Sequence, residues 1–523
     1  MGQLSDIPAE LHDGVRFGDL LLEAIDRRRA RIAFVHGATS VTYAELGERI
    51  AVALSGFRGL GLQPGDTIAQ LSGNSIELYA AMAAAYIGGY RSLTLHAMGG
   101  AADHAHILAD SKARILIADR AHADHARKVL ASLPSGAPRL LLHQPESDLP
   151  YFWQPGGTPE PLPRRAVGGA EDIVRLAYTG GTTGRPKGVM LSNRSLVTNT
   201  LLALAGIDWP EEVRFLCPAP ISHGAGSIVA PTLIQGGIVI LQDRFSPAAF
   251  FEAAARHRAT VTWLVPTMLQ ALLDAPAVEA AGMRTLETLI YSGAPMAPAR
   301  IRQALDRFGP ILFQCYGQTE APNTVLRLSR AEHIGADDAR LASAGRPFPG
   351  VDVAILGDDG EEVRAGEAGE ICVRGPLVMS GYWRQPEETA QACAGGWLHT
   401  GDIGRRDAEG YIHIVDRKKD MIISGGFNVF PKEVEDVLTA QPQVAAAAVV
   451  GVADPKWGET VTALVVLRPG AETTVEALAE AVRAAKGPVH TPKLIRIVEA
   501  LPLTGLGKPD KKAIRESLAH DLA

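Results

Sequence analysis

Between residues 247 and 318, amphipathic and wholly apolar runs alternate at short intervals. "PAAFFEAAARHR", "TMLQALLDA" and "PARIRQALDRF" place apolar side chains three and four residues apart and predict helices. "TVTWLVP", "LETLIYSG" and "ILFQCYG" are short, continuously apolar and predict strands. Apolar strands separated by amphipathic helices imply parallel βαβ units, with the sheet buried on both faces.

After about residue 345 the pattern changes. "VDVAILGDDGEEV", "GEICVRG" and "WLHTGDIGRRDAEGYIHIV" read as short alternating strands joined by Asp-Gly and Glu-Gly turns, the mark of hairpins in a small β subdomain. "PKEVEDVLTAQ" then predicts a helix with Pro431 in its first turn. Two strands, "VAAAAVVGVA" and "VTALVVLRP", the helix "VEALAEAVRAAK" and the strand "KLIRIVEALP" follow. The expected class is α/β: a large N-terminal domain of βαβ sheets over 1–418, with a β subdomain over about 345–417, and a small α+β C-terminal domain over 419–523.

At 523 residues the chain is too long for one core, which agrees with several domains. A composition of 46% hydrophobic and 21% charged residues is that of an ordinary globular protein. The net charge of -7 argues against nucleic acid or an anionic membrane as partner, so an anionic ligand must be gripped by local cations and backbone amides. Cys217, Cys315, Cys372 and Cys393 lie far apart without a CxxC pair, a reduced pattern that supports neither a disulfide framework nor a zinc site. The start, "MGQLSDIPAELHDG", carries no export signal, and apolar runs such as "LYAAMAAAYIGG" are too short to span a bilayer. These features predict a soluble cytoplasmic protein without an integral membrane segment. The histidines at 96, 104, 106, 122 and 125 read as solvated faces, not as metal ligands.

The chemistry concentrates in "YTGGTTGRPKGVM", residues 178–190, with four glycines, three threonines, Arg185 and Lys187. It lacks the Gly-Lys-Ser/Thr ending of a Walker loop, and it lies between a strand, "IVRLAY", and a second apolar run, "GVML", instead of opening a helix. A helix is expected to begin near Ser192 or Asn193, each a good N-cap. A loop between two strands closes over phosphates as a flap. A bare surface turn has no need of three threonine hydroxyls and two cations together. "YSGAP" (291–295) and "YGQTE" (316–320) are expected where buried strands end, the side on which open parallel sheets bind ligands. For "YSGAP", an ordinary strand-to-helix turn remains an equal reading. Glu320 is a natural oxygen ligand for Mg2+ near a triphosphate.

"YTGGTTGRPKG", "YSGAP", "YGQTE", "WLHTGD", "DRKKDMIISGGFNVFP" and "LTGLGKPDKK" occur in this order. The series resembles the motifs of the ANL adenylate-forming superfamily, which contains acyl-CoA synthetases, peptide-synthetase adenylation domains and luciferases. The resemblance runs from "VTYAELGERIAVALSGFRGLGLQPGDTIAQLSGNS" to "KPDKKAIRE". It implies that Thr179, Gly180, Gly181, Thr182, Thr183, Gly184 and Lys187 hold the β- and γ-phosphates of ATP. Gly293, Ala294 and Pro295 would line the adenine pocket, with Tyr316 stacked on the ring and Gly317 beside it. Thr319 would touch the α-phosphate, Glu320 would carry Mg2+, and Asp402 and Arg417 would hold the ribose. Lys508 would enter the site from a mobile C-terminal domain hinged at Lys419, while Gly425, Gly426 and Phe427 would form a tunnel for coenzyme A. Lys511 and Lys512 read as solvated.

The implied activity is that of an acid–thiol ligase. The carboxylate attacks the α-phosphate of ATP to give acyl-AMP and pyrophosphate, and coenzyme A then takes the acyl group and releases AMP. The partners are a small carboxylic acid, ATP and coenzyme A, in a monomer or homodimer. No carrier domain and no phosphopantetheine attachment sequence appear, so free coenzyme A is the expected acceptor, with a separate carrier protein as the alternative. A nucleotide- or acyl-sensing protein without catalysis, and a luciferase-like oxidative enzyme, are the other readings. In "ISHGAGS" the family's usual aromatic is replaced by Ser222 while His223 remains. Gly224, Ala225 and Gly226 then leave room beside His223 for a medium-chain, branched or aryl-substituted acid.

Overall fold

The apolar runs at Val261–Leu264 and Thr288–Tyr291 are strands buried at every residue, as strands covered on both faces must be. The structure, a computed structural model, describes residues 14–133, 136–145, 150–153, 159–179, 185–276, 283–424, 427–454, 457–503 and 509–522. The chain forms two units. The first comprises the chain up to Thr179, Pro186–Val353 and Val373–Leu398; Ala354–Cys372 and His399–Ala523 belong to the second.

The first unit holds two large sheets. In the nine-stranded sheet the order is Arg346–Pro347, Ala321–Leu328, Leu312–Gln318, Thr288–Tyr291, Val261–Leu264, Arg214–Cys217, Ile238–Leu241, Ile32–His36 and Thr39–Thr42. From Leu312–Gln318 to Ile32–His36 all neighbours are parallel. The predicted helices Pro247–Arg256, Pro266–Asp274 and Pro298–Phe308 each carry proline in the first turn, where its missing N–H costs no intrahelical bond. Phe250, Leu264, Leu289, Ile301 and Leu312 join helices and sheet in one core.

The seven-stranded sheet runs Gly381–Tyr382, Gly188–Ser192, Ile173–Tyr178, Arg91–Thr94, Thr67–Leu71, Ala113–Ala118 and Arg139–Leu142. The helix Ile76–Ile87 is buried at every residue except Glu77, which explains the apolar run in "LYAAMAAAYIGG": it is an interior helix. Among the described residues no helix is long and apolar enough to cross a membrane.

The second unit contains strands of a four-stranded sheet, ordered Asp352–Leu356, Ala368–Arg374, Leu398–Arg406 and Ile412–Arg417. Its other sheet pairs Val444–Asp454 antiparallel with Gly458–Leu467, and the latter parallel with Leu494–Ile497. The helix Pro431–Thr439 and the helix Val475–Lys486 cover one face through Val434, Leu438, Leu478 and Val482. Ile514 and Leu518 of the helix Lys511–Leu522 cover the other through Ala448 and Val450.

One expectation about the sheet changes. The strand Leu312–Gln318 does not end before "YGQTE" but runs through Tyr316 and turns back into the antiparallel strand Ala321–Leu328. Gly317 permits this, because a Cβ there would lie 2.4 Å from the Asn323 nitrogen.

Candidate active site

The strand Ile173–Tyr178 and the strand Gly188–Ser192 pair antiparallel, with Tyr178 opposite Gly188, so the glycine-rich loop closes a hairpin. The Thr179 N–H donates to the Lys187 carbonyl at 3.0 Å and ties its base. Gly188 lets the Tyr178 ring pack closely, since a Cβ would come within 2.9 Å of it. Ser192 caps the following helix by accepting the Ser195 N–H. Gly180, Gly181, Thr182, Thr183 and Gly184 lie outside the described residues.

Pairing of Gln318 with Ala321 leaves Thr319 and Glu320 as the two-residue turn between their strands. Glu320 is buried, and its Oε1 accepts the Tyr382 hydroxyl at 2.8 Å. The Lys187 ammonium sits over the Tyr382 ring, 5.2 Å from its centroid. Tyr382 therefore links Lys187 of the loop to Glu320 of the turn. Burial, with Glu320 beside it, raises the Tyr382 pKa, so the phenol stays protonated and donates. Sequence reasoning missed this residue. The available signal was register, because Tyr382 pairs with Val189 on the strand leaving the loop.

A cavity of about 290 Å³ lies in this unit and reaches Gly293, Gly317, Thr319, His223 and Gly224. Gly293 has φ +89°, a conformation that favours glycine. Ala294 and Pro295 are exposed, Ala225 is fully buried and Tyr316 is half-buried; none of the four lines the cavity. Ser222 is buried, and its Oγ lies 2.8 Å from His223 Nδ1, so the residue replacing the aromatic orients the imidazole. Thr94 Oγ1 and an Arg175 nitrogen donate to the Ser222 carbonyl at 3.0 and 2.9 Å. The His223 ring opens onto the cavity but is walled by protein. That enclosure, with His96 and Arg175 nearby, holds its pKa below the usual imidazole range. Gly224 and Gly226 line the cavity beside it, and each is closely packed on its Cβ side. A Cβ on Gly224 would lie 2.8 Å from the Trp263 indole, and one on Gly226 would meet the Ile221 carbonyl.

In the second unit, Asp402 and Arg417 are register partners, and Arg417 Nε lies 3.0 Å from Asp402 Oδ1. Asp402 is buried, whereas Arg417 is exposed. Glu370 organises the turn before them. It accepts the Gly401 N–H at 2.9 Å on one oxygen, and Lys418 Nζ and His399 Nδ1 at 3.1 Å each on the other. Burial works to raise the Glu370 pKa, but the donors outweigh it and hold the carboxylate below its ordinary range. Glu370, Cys372 and His399 bring their ligand atoms within 4.8 Å of one another. The cluster already contains the Lys418 cation, and burial pushes the Cys372 thiol up to about 12, both of which disfavour a bound metal. Lys419 lies in the short turn Lys418–Asp420; burial, then Arg417, lowers its pKa.

Phe427 is exposed. Gly425, Gly426 and Lys508 lie outside the described residues. Two expectations about solvation are corrected. Lys511 pairs with Glu435 at 3.1 Å and is 19% exposed, because its helix packs against the sheet. His104 is buried at the helix Ala101–Ser111 and meets His125 nitrogen to nitrogen at 3.0 Å.

Residues 21–383 match the family model described as AMP-binding enzyme, and residues 433–508 match the AMP-binding enzyme C-terminal domain. The chain belongs to the AMP-binding enzyme family. Within the family it is an AMP-forming acid–thiol ligase of the acyl-CoA synthetase kind, whose co-substrates are ATP and coenzyme A. It is 42% identical over 519 residues to the medium/long-chain-fatty-acid–CoA ligase FadD8 of Mycobacterium tuberculosis, covering 95% of this chain and 89% of that protein. It is 40% identical over 495 residues to a feruloyl-CoA synthase of Amycolatopsis sp, covering 93% and 97%. Among solved structures, the amide bond synthetase McbA from Marinactinospora thermotolerans matches with a TM-score of 0.88 at 34% identity, over 96% of this chain and 99% of that one.

Proposed function

We propose that the chain activates a medium-chain, branched or aryl-substituted carboxylic acid as its acyl-AMP and delivers the acyl group to coenzyme A. The observation that carries this reading is the cavity that reaches both His223 and Thr319, because it offers an acid a compartment next to the turn assigned to the α-phosphate. The medium-chain fatty acids in one relative's name and the feruloyl group in the other's fall within this range.

A carboxylate is a poor acyl donor because its leaving group would be oxide. In the first step its oxygen bonds to the α-phosphorus, and the bridging bond to pyrophosphate breaks in line. Positioning and cation supply govern such a transfer. Lys187 and the threonine loop hold the departing phosphates, Thr319 orients the α-phosphate, and Lys508 brings positive charge to the reacting oxygens. Asp402 and Arg417 take the ribose; Gly293, Ala294, Pro295, Tyr316 and Gly317 take the adenine. Glu320 fits Mg2+ as a carboxylate oriented by Tyr382, with the Thr319 hydroxyl adjacent in the same turn, an oxygen set suited to a hard cation. The ion, when bound, supplies charge to the triphosphate. In the second step the thiolate of coenzyme A attacks the acyl carbon and AMP leaves. This follows rotation of a domain spanning 419–523 against 1–418 about Lys419, with Gly425, Gly426 and Phe427 lining the pantetheine path. The reading assigns the protein to the cytoplasm, as a monomer or homodimer.

The test is a panel of carboxylic acids with Mg-ATP and coenzyme A. AMP, pyrophosphate and acyl-CoA are the expected products, whereas ADP and phosphate would reject the reading in favour of an acyl-phosphate ligase. The likeness to an amide bond synthetase favours one second reading, an amine acceptor. AMP release with an amine but not with coenzyme A would select it.

A further inference from the structure

Lysine carries a point charge on a flexible stem, so where its ammonium acts depends on how its backbone is held. At Lys187 the chain is tied on both sides. Within the hairpin, the Thr179 N–H holds the Lys187 carbonyl at 3.0 Å. The remaining ties come from elsewhere in the unit. Just before Lys187, the Pro186 carbonyl lies 3.2 Å from His106 Nε2. A carbonyl accepts and cannot donate, so this imidazole carries a proton on Nε2. Just after Lys187, the Gly188 carbonyl accepts the Trp383 N–H at 2.6 Å. The Tyr178 ring and the Trp383 side chain close in on Gly188, 2.9 and 3.1 Å from where a Cβ would stand.

These ties converge on one helix. Asp110 follows His106 by one turn of the helix Ala101–Ser111, so the two share a face. Asp110 Oδ2 accepts the Tyr178 hydroxyl at 2.6 Å, and the Asp110 carbonyl accepts the Trp383 indole N–H at 3.1 Å. The Arg91 guanidinium stacks on the Trp383 ring, 4.6 Å from its centroid. Burial, then Asp110, raises the Tyr178 pKa, so the phenol stays protonated and donates. The helix does not depend on this face for its packing, because its buried residues are His104, Ile107, Leu108 and Ser111. The polar atoms of His106 and Asp110 are turned instead to the base of a hairpin 68 or more residues further along the chain. Resting on the ligase reading, in which Lys187 holds the departing pyrophosphate, we propose that His106 and Asp110 are positioning residues for Lys187. His106 fixes the strand leaving the loop and Asp110 the strand entering it, so the ammonium is in place when the bond to pyrophosphate breaks.

The experiment measures the two half-reactions separately in His106→Ala and Asp110→Ala, using ATP, labelled pyrophosphate and the best acid of the panel. Acid-dependent ATP–pyrophosphate exchange should fall by about tenfold in each variant, the scale of one lost hydrogen bond. Thioester formation from preformed acyl-AMP and coenzyme A, during which no pyrophosphate is held, should keep its native rate. His106→Gln, whose side-chain amide can still donate to the Pro186 carbonyl, should recover most of the exchange. Native exchange in both alanine variants, equal losses in the two half-reactions, or no recovery in His106→Gln overturns the proposal. Each of these leaves the ligase reading intact, because the native enzyme still exchanges. Absence of exchange in the native enzyme with every acid rejects the ligase reading and this inference with it.

Discussion

The turn at Thr319–Glu320 and the acid cavity belong to the same unit but are built on opposite principles. At the turn, polar groups are matched within the protein: Tyr382 donates to Glu320 and lies under the Lys187 cation. The cavity wall is instead largely aromatic, with Phe17, Tyr79, Tyr86 and Trp263 lining it. A nucleotide is the constant part of the reaction, so its site profits from parts fixed before binding. The acid is the variable part, and a largely aromatic wall selects it by shape and apolar contact. Changes at the turn should alter rate for every acid alike, whereas changes in the cavity should alter the choice among acids.

The largest effect expected concerns Lys508, assigned to the constant side. Lys508→Ala should slow adenylation by on the order of 10²–10³, about 2.7–4 kcal/mol, for every acid tested. Supplied with preformed acyl-AMP and coenzyme A, it should still make the thioester. An equal loss in both half-reactions would remove Lys508 from the adenylation step.

Tyr382→Phe comes next. It removes one hydrogen bond to a carboxylate, a loss of roughly 1.5–3 kcal/mol or about 10–100-fold in adenylation rate. The preference among carboxylic acids in kcat/KM should stay at the native value, and a shifted preference would break the division between the two regions.

The smallest effect lies outside both. Burial, then His125, lowers the His104 pKa from 6.5 to about 4. The unfolded chain takes up that proton as pH falls below 6.5, while the folded one does not until about 4, so stability is lost across this window and is full above it. Melting curves at pH 7 and 5 should show a smaller acid-induced drop in His104→Gln than in the native protein. An unchanged drop would assign the acid sensitivity to other groups.

The same contrast explains how much could be read from the sequence. Helices such as Pro247–Arg256 and strands such as Val261–Leu264 follow from local periodicity, and each formed where expected. The hairpin around the glycine-rich loop was equally legible, because its two strands adjoin it in the chain. Tyr382 was not, since it reaches Glu320 across 62 residues. The cavity was less legible still. Phe17, Tyr79, Ser222 and Trp263 come from separate segments, and no local pattern states that Trp263 occupies the space beside Gly224. The turn at "YGQTE" misled for a related reason: an apolar run gives a strand's start but not whether a bulge at Gly317 carries it onward.

The claim beneath all of this is that the acid's own oxygen attacks the α-phosphate of ATP, and an isotope tests it directly. The carboxylic acid is labelled with 18O on both oxygens and turned over with Mg-ATP and coenzyme A, and the products are weighed by mass spectrometry. The account predicts one 18O in AMP, left there when the thiolate displaces the nucleotide from the acyl carbon, and none in pyrophosphate. Label in inorganic phosphate, or AMP without label, would contradict it.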